Sequence, residues 1–313
     1  MPFLLYILIA VVALLLFSGL LIFYHACVRK KELQWMVEEE IKKTPYGNYY
    51  ENIRNADAFL REHNAQNHWI ESFDGLRLYA SYVPAPKARG TIILAHGYRS
   101  SKLVDFGIVF PIYHKLGMNI LVPDQRSHGN SEGKFITFGV NESRDMQSWI
   151  DYHNRNLSTC PIILSGLSMG ASTMLYLADA DLPNNVKGII ADCGFTSPKE
   201  IISVVFERVT HLPSAASLLA TELFTRLFAG FSLTGKSTMD TLKKSKLPVL
   251  MVHGREDGFV PCEMTERGFA VCTGPKEMFL VDGADHGVSF LVEPDKYKQL
   301  VTDFLNKNLE ERL

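Results

Sequence analysis

The longest apolar stretch of the chain lies at its N-terminus. Residues 3–28 contain no Asp, Glu, Lys or Arg, and their central part, 4–23, is almost wholly apolar. About 20 helical residues, rising ~1.5 Å each, cover the ~30 Å hydrocarbon core of a bilayer. The pattern therefore predicts a transmembrane anchor over residues 1–28. A cleaved signal peptide is the main alternative, but the stretch lacks a basic n-region and is longer than the usual apolar h-region.

Basic residues flank the predicted anchor on one side only. Arg29, Lys30 and Lys31 follow it directly, whereas no Lys or Arg precedes it. The positive-inside tendency places the C-terminal body of such a single-pass membrane protein in the cytoplasm. The five cysteines are scattered without CxxC or metal-ligand spacing, which is typical of reduced cysteines and agrees with a cytoplasmic body.

Beyond the anchor the apolar pattern is first irregular and then alternates. Residues 29–67 are charged and aromatic, with apolar positions at uneven intervals, and they predict a helical connector. Apolar and polar residues then alternate along 69–73 and 76–83, on either side of Asp74-Gly75. Alternation across an Asp-Gly turn predicts an antiparallel β-hairpin.

Six short apolar runs follow the hairpin, with segments of helix length between them. They occupy residues 91–95, 118–123, 162–165, 186–191, 248–253 and 278–281. Continuous β-branched runs suit buried parallel strands, and their alternation with helices indicates a doubly wound sheet. We expect residues 68–313 to form one α/β domain with a mostly parallel central sheet, an N-terminal antiparallel hairpin and helices on both faces.

Residues 195–240 interrupt this rhythm. They insert Leu, Phe and Ala at helical spacings between the fourth and fifth of these runs. We interpret the segment as a helical lid over the strand ends, where it would wall a mostly apolar pocket. The alternative is that these helices only pack against the sheet.

The overall charge argues against nucleic acid as a partner. The chain has 32 Lys and Arg against 34 Asp and Glu, which gives a formal net charge of −2. This balance offers no basic excess with which to bind nucleic acid.

A glycine-flanked serine provides the first candidate for chemistry. The sequence Gly-Leu-Ser-Met-Gly at residues 166–170 follows an apolar run and precedes a segment of helical pattern. In a nucleophile elbow a strand turns so sharply into a helix that the serine between them is exposed, and a Cβ at either flanking glycine would clash. The pattern makes Ser168 a candidate nucleophile, and a Gly/Ser-rich turn without chemistry is the alternative that the rest of the chain must decide against.

A serine hydroxyl needs a histidine to take its proton and an acid to orient that histidine. Asp257 lies just beyond the predicted strand 248–253, and His286 lies just beyond 278–281. Their order and their positions at strand ends predict Asp257 as the acid and His286 as the base. Asp285 adjoins His286 and is interpreted as a turn residue, while Glu256 is the more serious competitor for the acid.

The negative oxygen that forms when a serine attacks a carbonyl needs backbone N–H donors. The N–H of Met169, at the start of the helix after the serine, is one expected donor. The loop at 96–100 after the first parallel strand should supply the other, and Tyr98 is the predicted residue. His96 is interpreted as a hydrogen-bonding scaffold, because a second general base is not needed.

Five motifs in this order resemble one family. They are Leu-Ala-His-Gly at 94–97, Asp-Gln-Arg-Ser-His-Gly-Asn-Ser at 124–131, the serine motif at 166–170, the segment 253–261 and Gly-Ala-Asp-His at 283–286. Over residues 69–309 the chain resembles the α/β-hydrolase superfamily, and within it the serine-aminopeptidase-like and lysophospholipase-like branch. The resemblance implies the same roles for Ser168, Asp257, His286, Tyr98 and Met169. Ser127 departs from the glycine usual at its position in the second motif.

These features together predict a serine hydrolase that cleaves a carboxylic ester, thioester or amide through an acyl-enzyme. The apolar lid and the anchor favour an esterase or lipase-like enzyme with a small-molecule or lipid-like acyl substrate, and no cofactor or metal is expected. A serine peptidase or an acyltransferase on the same triad is the alternative within this class. A non-catalytic ligand-binding scaffold is the alternative outside it.

Overall fold

The computed structural model describes residues 2–30 and 50–309 of the chain. The helices are α1 (Pro2–Cys27), α2 (Tyr50–Glu62), α3 (Lys102–Phe106), α4 (Phe110–Lys115), α5 (Val140–Tyr152), α6 (Met169–Leu175), α7 (Pro198–Thr210), α8 (Ala215–Ala229), α9 (Thr238–Leu242), α10 (Glu263–Val271), α11 (Ser289–Val292) and α12 (Pro294–Leu309). The strands are β1 (Gln66–Glu71), β2 (Arg77–Val83), β3 (Gly90–Ala95), β4 (Met118–Pro123), β5 (Ile162–Leu167), β6 (Val186–Asp192), β7 (Val249–Gly254) and β8 (Lys276–Val281).

The eight strands form one sheet in the order β1-β2-β4-β3-β5-β6-β7-β8. β1 and β2 pair antiparallel, as do β2 and β4, whereas all remaining neighbours are parallel. The predicted sheet with its N-terminal antiparallel hairpin is thereby confirmed. Carboxyl ends of parallel strands meet at one edge of such a sheet, and the loops after β3, β5, β7 and β8 carry the predicted site residues to that edge.

Two layers of helices cover the sheet. Because side chains alternate between the faces of a strand, Ile92 and Leu94 of β3 pack towards α2, α4 and α12, while Ile93 and Ala95 pack towards α5 and α6. These strand positions are fully buried, as expected of β-branched runs in a sheet covered on both sides.

The predicted connector between anchor and body is only partly described. Residues 31–49 lie outside the described residues, and the proposed domain boundaries stay predictions. Helix α2, which falls within the predicted connector, packs into the core of the body through Ala56 and Phe59. Strand β1 begins at Gln66, two residues before the predicted start of the domain.

Helix α1 is the one helix of the described residues that is long and apolar enough to cross a membrane, over Phe3–Cys27. Most of it is exposed, but Phe23 and Cys27 near its end are buried against the body. A membrane span and a signal sequence both fit its length and composition.

The predicted lid segment, residues 195–240, contains α7, α8 and α9 and lies between β6 and β7. Ile201 and Ile202 of α7 belong to an apolar cluster that also includes Phe23 of α1 and Met169 of α6. Helix α8 packs along α1. The segment therefore connects the N-terminal helix to the body beside the carboxyl edge of the sheet.

Candidate active site

Ser168 lies on the sharp turn between β5 and α6. Its φ of 55° and ψ of −118° are far from the ordinary values of L-residues. A Cβ on Gly166 would collide with the backbone of Gly170, and a Cβ on Gly170 would collide with the carbonyl of Ala95. Both glycines of the motif are therefore required by close backbone approach, and the turn places the serine at the strand end.

The three predicted side chains lie in one chain of hydrogen bonds. His286 Nε2 is 2.9 Å from Ser168 Oγ, and His286 Nδ1 is 2.7 Å from Asp257 Oδ2. Ser168 and Asp257 are almost fully buried, whereas His286 is partly accessible. A histidine held this way accepts the serine proton on one nitrogen while the other donates to a carboxylate, which is the arrangement needed to activate a serine hydroxyl.

The Asp257 carboxylate is held by more than His286. Burial alone would raise the pKa of this carboxyl, but hydrogen bonds from His253 and His286 and the nearby His286 charge hold the pKa well below its ordinary value. The backbone N–H groups of Phe259 and Val260 also donate to Asp257 Oδ1, each at 2.8 Å. Asp257 is thus ionised at neutral pH and fixed in orientation.

The two competing acids have other partners. Asp285 Oδ1 accepts hydrogen bonds from the N–H groups of Gly258 and His286, at 2.8 and 2.7 Å. Glu256 Oε2 accepts from the N–H of Gly283 at 2.6 Å. Both carboxylates therefore stabilise turns of the loops that carry the predicted acid and base.

The predicted oxyanion donors lie beside the serine. Helix α6 begins at Met169, whose N–H is one of the first-turn groups without an intrahelical acceptor. A Cβ on Gly97 would lie 3.4 Å from Ser168 Cβ, so the loop after β3 runs next to the nucleophile. The N–H of Tyr98 in this loop donates to no backbone carbonyl of the described residues. The two N–H groups are available to a substrate, and their roles stay predictions.

Several known proteins are similar to this chain in sequence or in fold. The family model described as serine aminopeptidase, S33, matches residues 86–216. Protein YqkD of Bacillus subtilis is 28% identical over 264 residues, which cover 80% of this chain and 86% of that protein. Protein bem46 of Schizosaccharomyces pombe is 27% identical over 228 residues, which cover 72% and 70%. The solved esterase Pf2001 of Pyrococcus furiosus has a TM-score of 0.64 at 22% identity, with 80% of this chain and 96% of that chain covered.

The chain has the α/β-hydrolase fold. The family match supports an enzyme of the hydrolase class, and the solved neighbour supports the fold.

Two buried histidines support the loops of the hydrolase. The Nδ1–H of His96 donates to Gly97 O, and its Nε2 accepts from the N–H of Gln125 at 3.0 Å. Burial lowers the pKa of His96 to about 4 and that of His128 to about 3. His128 Nε2 in turn accepts from the N–H of Arg99 at 3.0 Å. Both histidines are neutral at working pH, and the predicted scaffold role of His96 agrees with these contacts.

The departure at Ser127 is accommodated by the loop. Ser127 has a φ of 64°, in the left-handed region that favours glycine. Its hydroxyl donates to Phe135 O at 2.9 Å. The serine thus keeps the backbone geometry of the motif and gains a hydrogen bond, at a distance from the reacting groups.

The end of helix α1 is bonded to the oxyanion loop. The Tyr98 hydroxyl donates to Ala26 O at 2.8 Å, and Arg99 Nη2 donates to His25 O at 2.6 Å and to Val28 O at 3.2 Å. The final carbonyls of a helix have no intrahelical donor, and here Tyr98 and Arg99 of the loop supply the donors. The N-terminal helix and the predicted oxyanion donor are therefore one hydrogen-bonded unit.

A cavity of about 610 Å³ opens at Ser168 and His286. Its remaining lining residues are Asn52, Gly97, Tyr98, Ser100, Val104, Asp105, Phe106, Ile108, Val109, Tyr113, Ser165, Gly166, Leu167, Asp192, Gly258, Phe259, Asp285, Gly287, Val288, Phe290, Leu291 and Tyr297. None of them comes from residues 195–240, so the predicted lid segment does not wall this cavity. The wall comes from α2, α3, α11 and the adjoining loops, because these pack against the face of the sheet opposite α5 and α6.

One group of side chains among the described residues has metal-ligand spacing. Ligand atoms of Cys193, Asp257 and His286 lie within 4.8 Å of one another. Burial raises the pKa of the Cys193 thiol, so it is protonated. A metal ion would also displace the proton between Asp257 and His286, and the arrangement suits proton transfer better than metal binding.

Sequence reasoning missed two residues of the site. His253 donates through Nε2 to Asp257 Oδ2 and Val260 O, and its position at the end of β7, four residues before the acid, was the available signal. Asp105 accepts from the N–H of Gly97 and from the Ser100 hydroxyl, at 2.6 and 2.5 Å. No motif marks Asp105, because its contact depends on how α3 packs against the loop.

Proposed function

We propose that the protein is a serine hydrolase that cleaves a carboxylic ester, thioester or amide through an acyl-enzyme. The observation that carries this proposal is the continuous chain of hydrogen bonds from Asp257 through His286 to Ser168, at the mouth of the cavity. Ser168 is the nucleophile, His286 the general base and then acid, and Asp257 the group that orients the imidazole and stabilises its charge.

In the acylation step Ser168 Oγ bonds to the carbonyl carbon of the substrate while its proton moves to His286 Nε2. The carbonyl oxygen becomes negative and accepts hydrogen bonds from the N–H groups of Tyr98 and Met169, each worth ~3 to 4 kcal/mol in comparable sites. The bond to the leaving group then breaks, and that group departs with the proton from His286. Asp257, which stays ionised, stabilises the imidazolium during the transfer.

Deacylation repeats these steps with water. His286 Nε2 removes a proton from water as the water oxygen bonds to the acyl carbon. The tetrahedral intermediate collapses, Ser168 Oγ recovers the proton from His286, and the carboxylic acid leaves. An alcohol or amine acceptor in place of water would give acyl transfer by the same route.

The cavity favours an apolar acyl group. Val104, Ile108, Phe290 and Leu291 are among its apolar lining residues, and no Lys or Arg of the described residues lines it. A carboxylate or phosphate beside the scissile bond would have no counter-ion there, whereas burial of an acyl chain contributes about 25 cal/mol per Å². We therefore propose an uncharged or lipid-like ester as the preferred substrate over a peptide.

We also propose that α1 is retained as a single-pass membrane anchor with the body in the cytoplasm. Cleavage after α1 would remove the carbonyls to which Tyr98 and Arg99 donate and would expose the apolar cluster around Phe23. The basic residues Arg29 and Lys30 support the orientation. A reporter fused after Leu313 is expected to behave as cytoplasmic, and efficient activity of an export-dependent reporter there would contradict the orientation.

The test of hydrolysis uses the full chain in detergent, because α1 contributes contacts beside the site. The protein is expected to hydrolyse short-chain p-nitrophenyl esters and to react with a fluorophosphonate probe, and Ser168→Ala should lose both, with kcat reduced on the order of 10⁶-fold. Ser148→Ala is the matched control, since the Ser148 hydroxyl donates within its own helix, to Arg144 O. Equal activity of Ser168→Ala and Ser148→Ala would refute the proposal, and a parallel panel of thioesters and peptide amides distinguishes the bond types.

A further inference from the structure

Helix α8 has two faces of different character. Ser217, Leu218, Thr221 and Thr225 are buried against α1 and the body. The opposite side, which we call the outer face of α8, consists of Ala216, Leu219, Leu223 and Leu227 and is exposed. These four positions follow one another at intervals of three and four residues, so they form one continuous apolar stripe.

The buried side of α8 lies directly on α1, and the two helices run in the same direction. Ser18 Oγ donates to Ser217 Oγ at 2.8 Å, and the Phe23 ring lies 6.3 Å from that of Phe224. A Cβ on Gly19 would collide with Ala220, so the backbones approach closely. Residue numbers rise in the same direction along both helices, so these contacts show beside which residues of α1 each part of α8 lies.

This contact lies at the C-terminal end of the predicted membrane span. If the ~30 Å hydrocarbon core begins near Phe3, then 20 residues at ~1.5 Å each bring its boundary to about residue 22. Ser217 of α8, which bonds to Ser18, then lies ~6 Å inside that boundary. Phe224, whose ring lies beside that of Phe23, is at the boundary itself.

The positions of the charged residues near α8 agree with this depth in the bilayer. Within α8 the charged residues are Glu222 and Arg226, in its C-terminal half and therefore towards the boundary. Glu222 Oε1 accepts from the Ser232 hydroxyl at 2.6 Å and is turned away from the outer face. At the end of α7, Glu207 and Arg208 are exposed, which limits the immersed surface to the outer face of α8.

The outer face of α8 also continues an apolar surface that already belongs to α1. Leu219 and Leu227 are 77% and 65% exposed, and Phe228, which contacts Phe23, is 57% exposed. Contiguous apolar surface of this kind marks an interaction site. Since α1 carries exposed apolar residues along most of its length, the same medium that covers α1 would cover α8.

We infer that the outer face of α8 contacts the acyl chains of the bilayer, so that α1 and α8 together form one lipid-contacting surface. The inference rests on the membrane anchor proposed above. It places Met169, which packs in the apolar cluster with Phe23 and Leu218, close to the membrane surface. The active site is then held within reach of substrates that partition into the bilayer.

The test places an environment-sensitive fluorophore on Leu219→Cys in the full chain, in which Cys160 and Cys262 are replaced by serine. The protein is reconstituted into phosphatidylcholine vesicles that contain lipids with a nitroxide on the acyl chain. Gln66→Cys is the control, because Gln66 is exposed at the start of β1, at the edge of the sheet away from the carboxyl ends of the parallel strands. The label on Leu219→Cys should be quenched several-fold more by the lipid nitroxide than the control label, and less by aqueous iodide.

Equal quenching of both labels by lipid nitroxide and by iodide would overturn the inference. Protection from iodide without quenching by the lipid nitroxide would also overturn it, since protein, such as a second copy of the chain, would then cover the outer face. Two further measurements distinguish failure of this inference from failure of the proposed anchor or of the proposed catalysis. Release of the chain from vesicles at alkaline pH would refute the anchor, and Ser168→Ala carries the same label signal because the contact does not depend on catalysis.

Discussion

Removal of one hydroxyl should separate the chemical role of the oxyanion loop from its attachment to the N-terminal helix. Tyr98→Phe deletes the donor to Ala26 O and leaves the ring, which stacks on Phe138 with centroids 5.3 Å apart. The backbone N–H proposed to bind the oxyanion is chemically unchanged. Any loss of rate therefore reports how firmly α1 holds the loop.

The expected size of the effect follows from the lost hydrogen bond. A hydrogen bond of this type contributes about 0.5–1.5 kcal/mol net, and a buried carbonyl left without a donor costs about 1–3 kcal/mol. If about 1.4 kcal/mol of this stabilises the productive position of the loop, kcat falls about tenfold. Complete loss of one oxyanion donor would cost about 10²–10³ in kcat, and this sets the upper limit.

The assay compares kcat and KM for a short-chain p-nitrophenyl ester, with the full chain in detergent. Tyr152→Phe is the matched control, because it removes a hydroxyl that contacts His68 far from the site. We expect a lower kcat with a nearly unchanged KM for Tyr98→Phe and wild-type values for Tyr152→Phe. A kcat of Tyr98→Phe equal to that of the control would refute the coupling between α1 and the loop.

Three further changes test the rest of the site. Asp257→Asn should lower kcat by about 10⁴-fold, because the orientation of the imidazole is lost, while its labelling by a fluorophosphonate should slow in proportion. Burial raises the pKa of Asp105 from 3.8 to about 6, so between these pH values the folded state binds a proton that the unfolded chain has released, and wild-type stability falls as pH rises through that window. The free energy of unfolding of Asp105→Asn, measured with denaturant, should therefore increase relative to that of wild type by at most about 3 kcal/mol from pH 4 to pH 7. A difference that stays constant with pH would contradict this. Gly170→Ala should lower the free energy of unfolding by about 1–3 kcal/mol or more, because the added Cβ collides with Ala95. Gly235→Ala, in a roomier turn, is the control and should change the free energy of unfolding by about a few tenths of a kcal/mol. Similar Tm values for the two variants would contradict the close approach.

Much of the fold followed from the sequence because its signals are local. Buried strands such as β3 and β5 are continuous β-branched runs, and the Asp74-Gly75 turn marks the hairpin that the sheet contains. The elbow was predictable for the same reason, since strand, glycines and helix occupy one short stretch around Ser168. The meeting of Asp257 and His286 followed from a general rule on parallel strand ends.

What the sequence did not predict depends on how distant elements pack. The lid segment is apolar at helical spacing, but only the structure shows that its buried apolar residues pack in the cluster around Phe23, whereas the cavity lies elsewhere. The contact between Asp105 and Gly97 needs the position of α3, which no spacing along the chain encodes. The hydrogen bond from Tyr98 to Ala26 joins residues 72 positions apart.

The central claim is that Ser168 carries the acyl group during turnover. The most direct measurement is mass spectrometry of the full chain, quenched in acid during hydrolysis of an acyl ester, followed by peptide mapping. The account predicts the mass of one acyl group on the peptide that contains Ser168, and no such adduct in Ser168→Ala. Turnover that continues without this adduct, or an adduct on another residue, would contradict it.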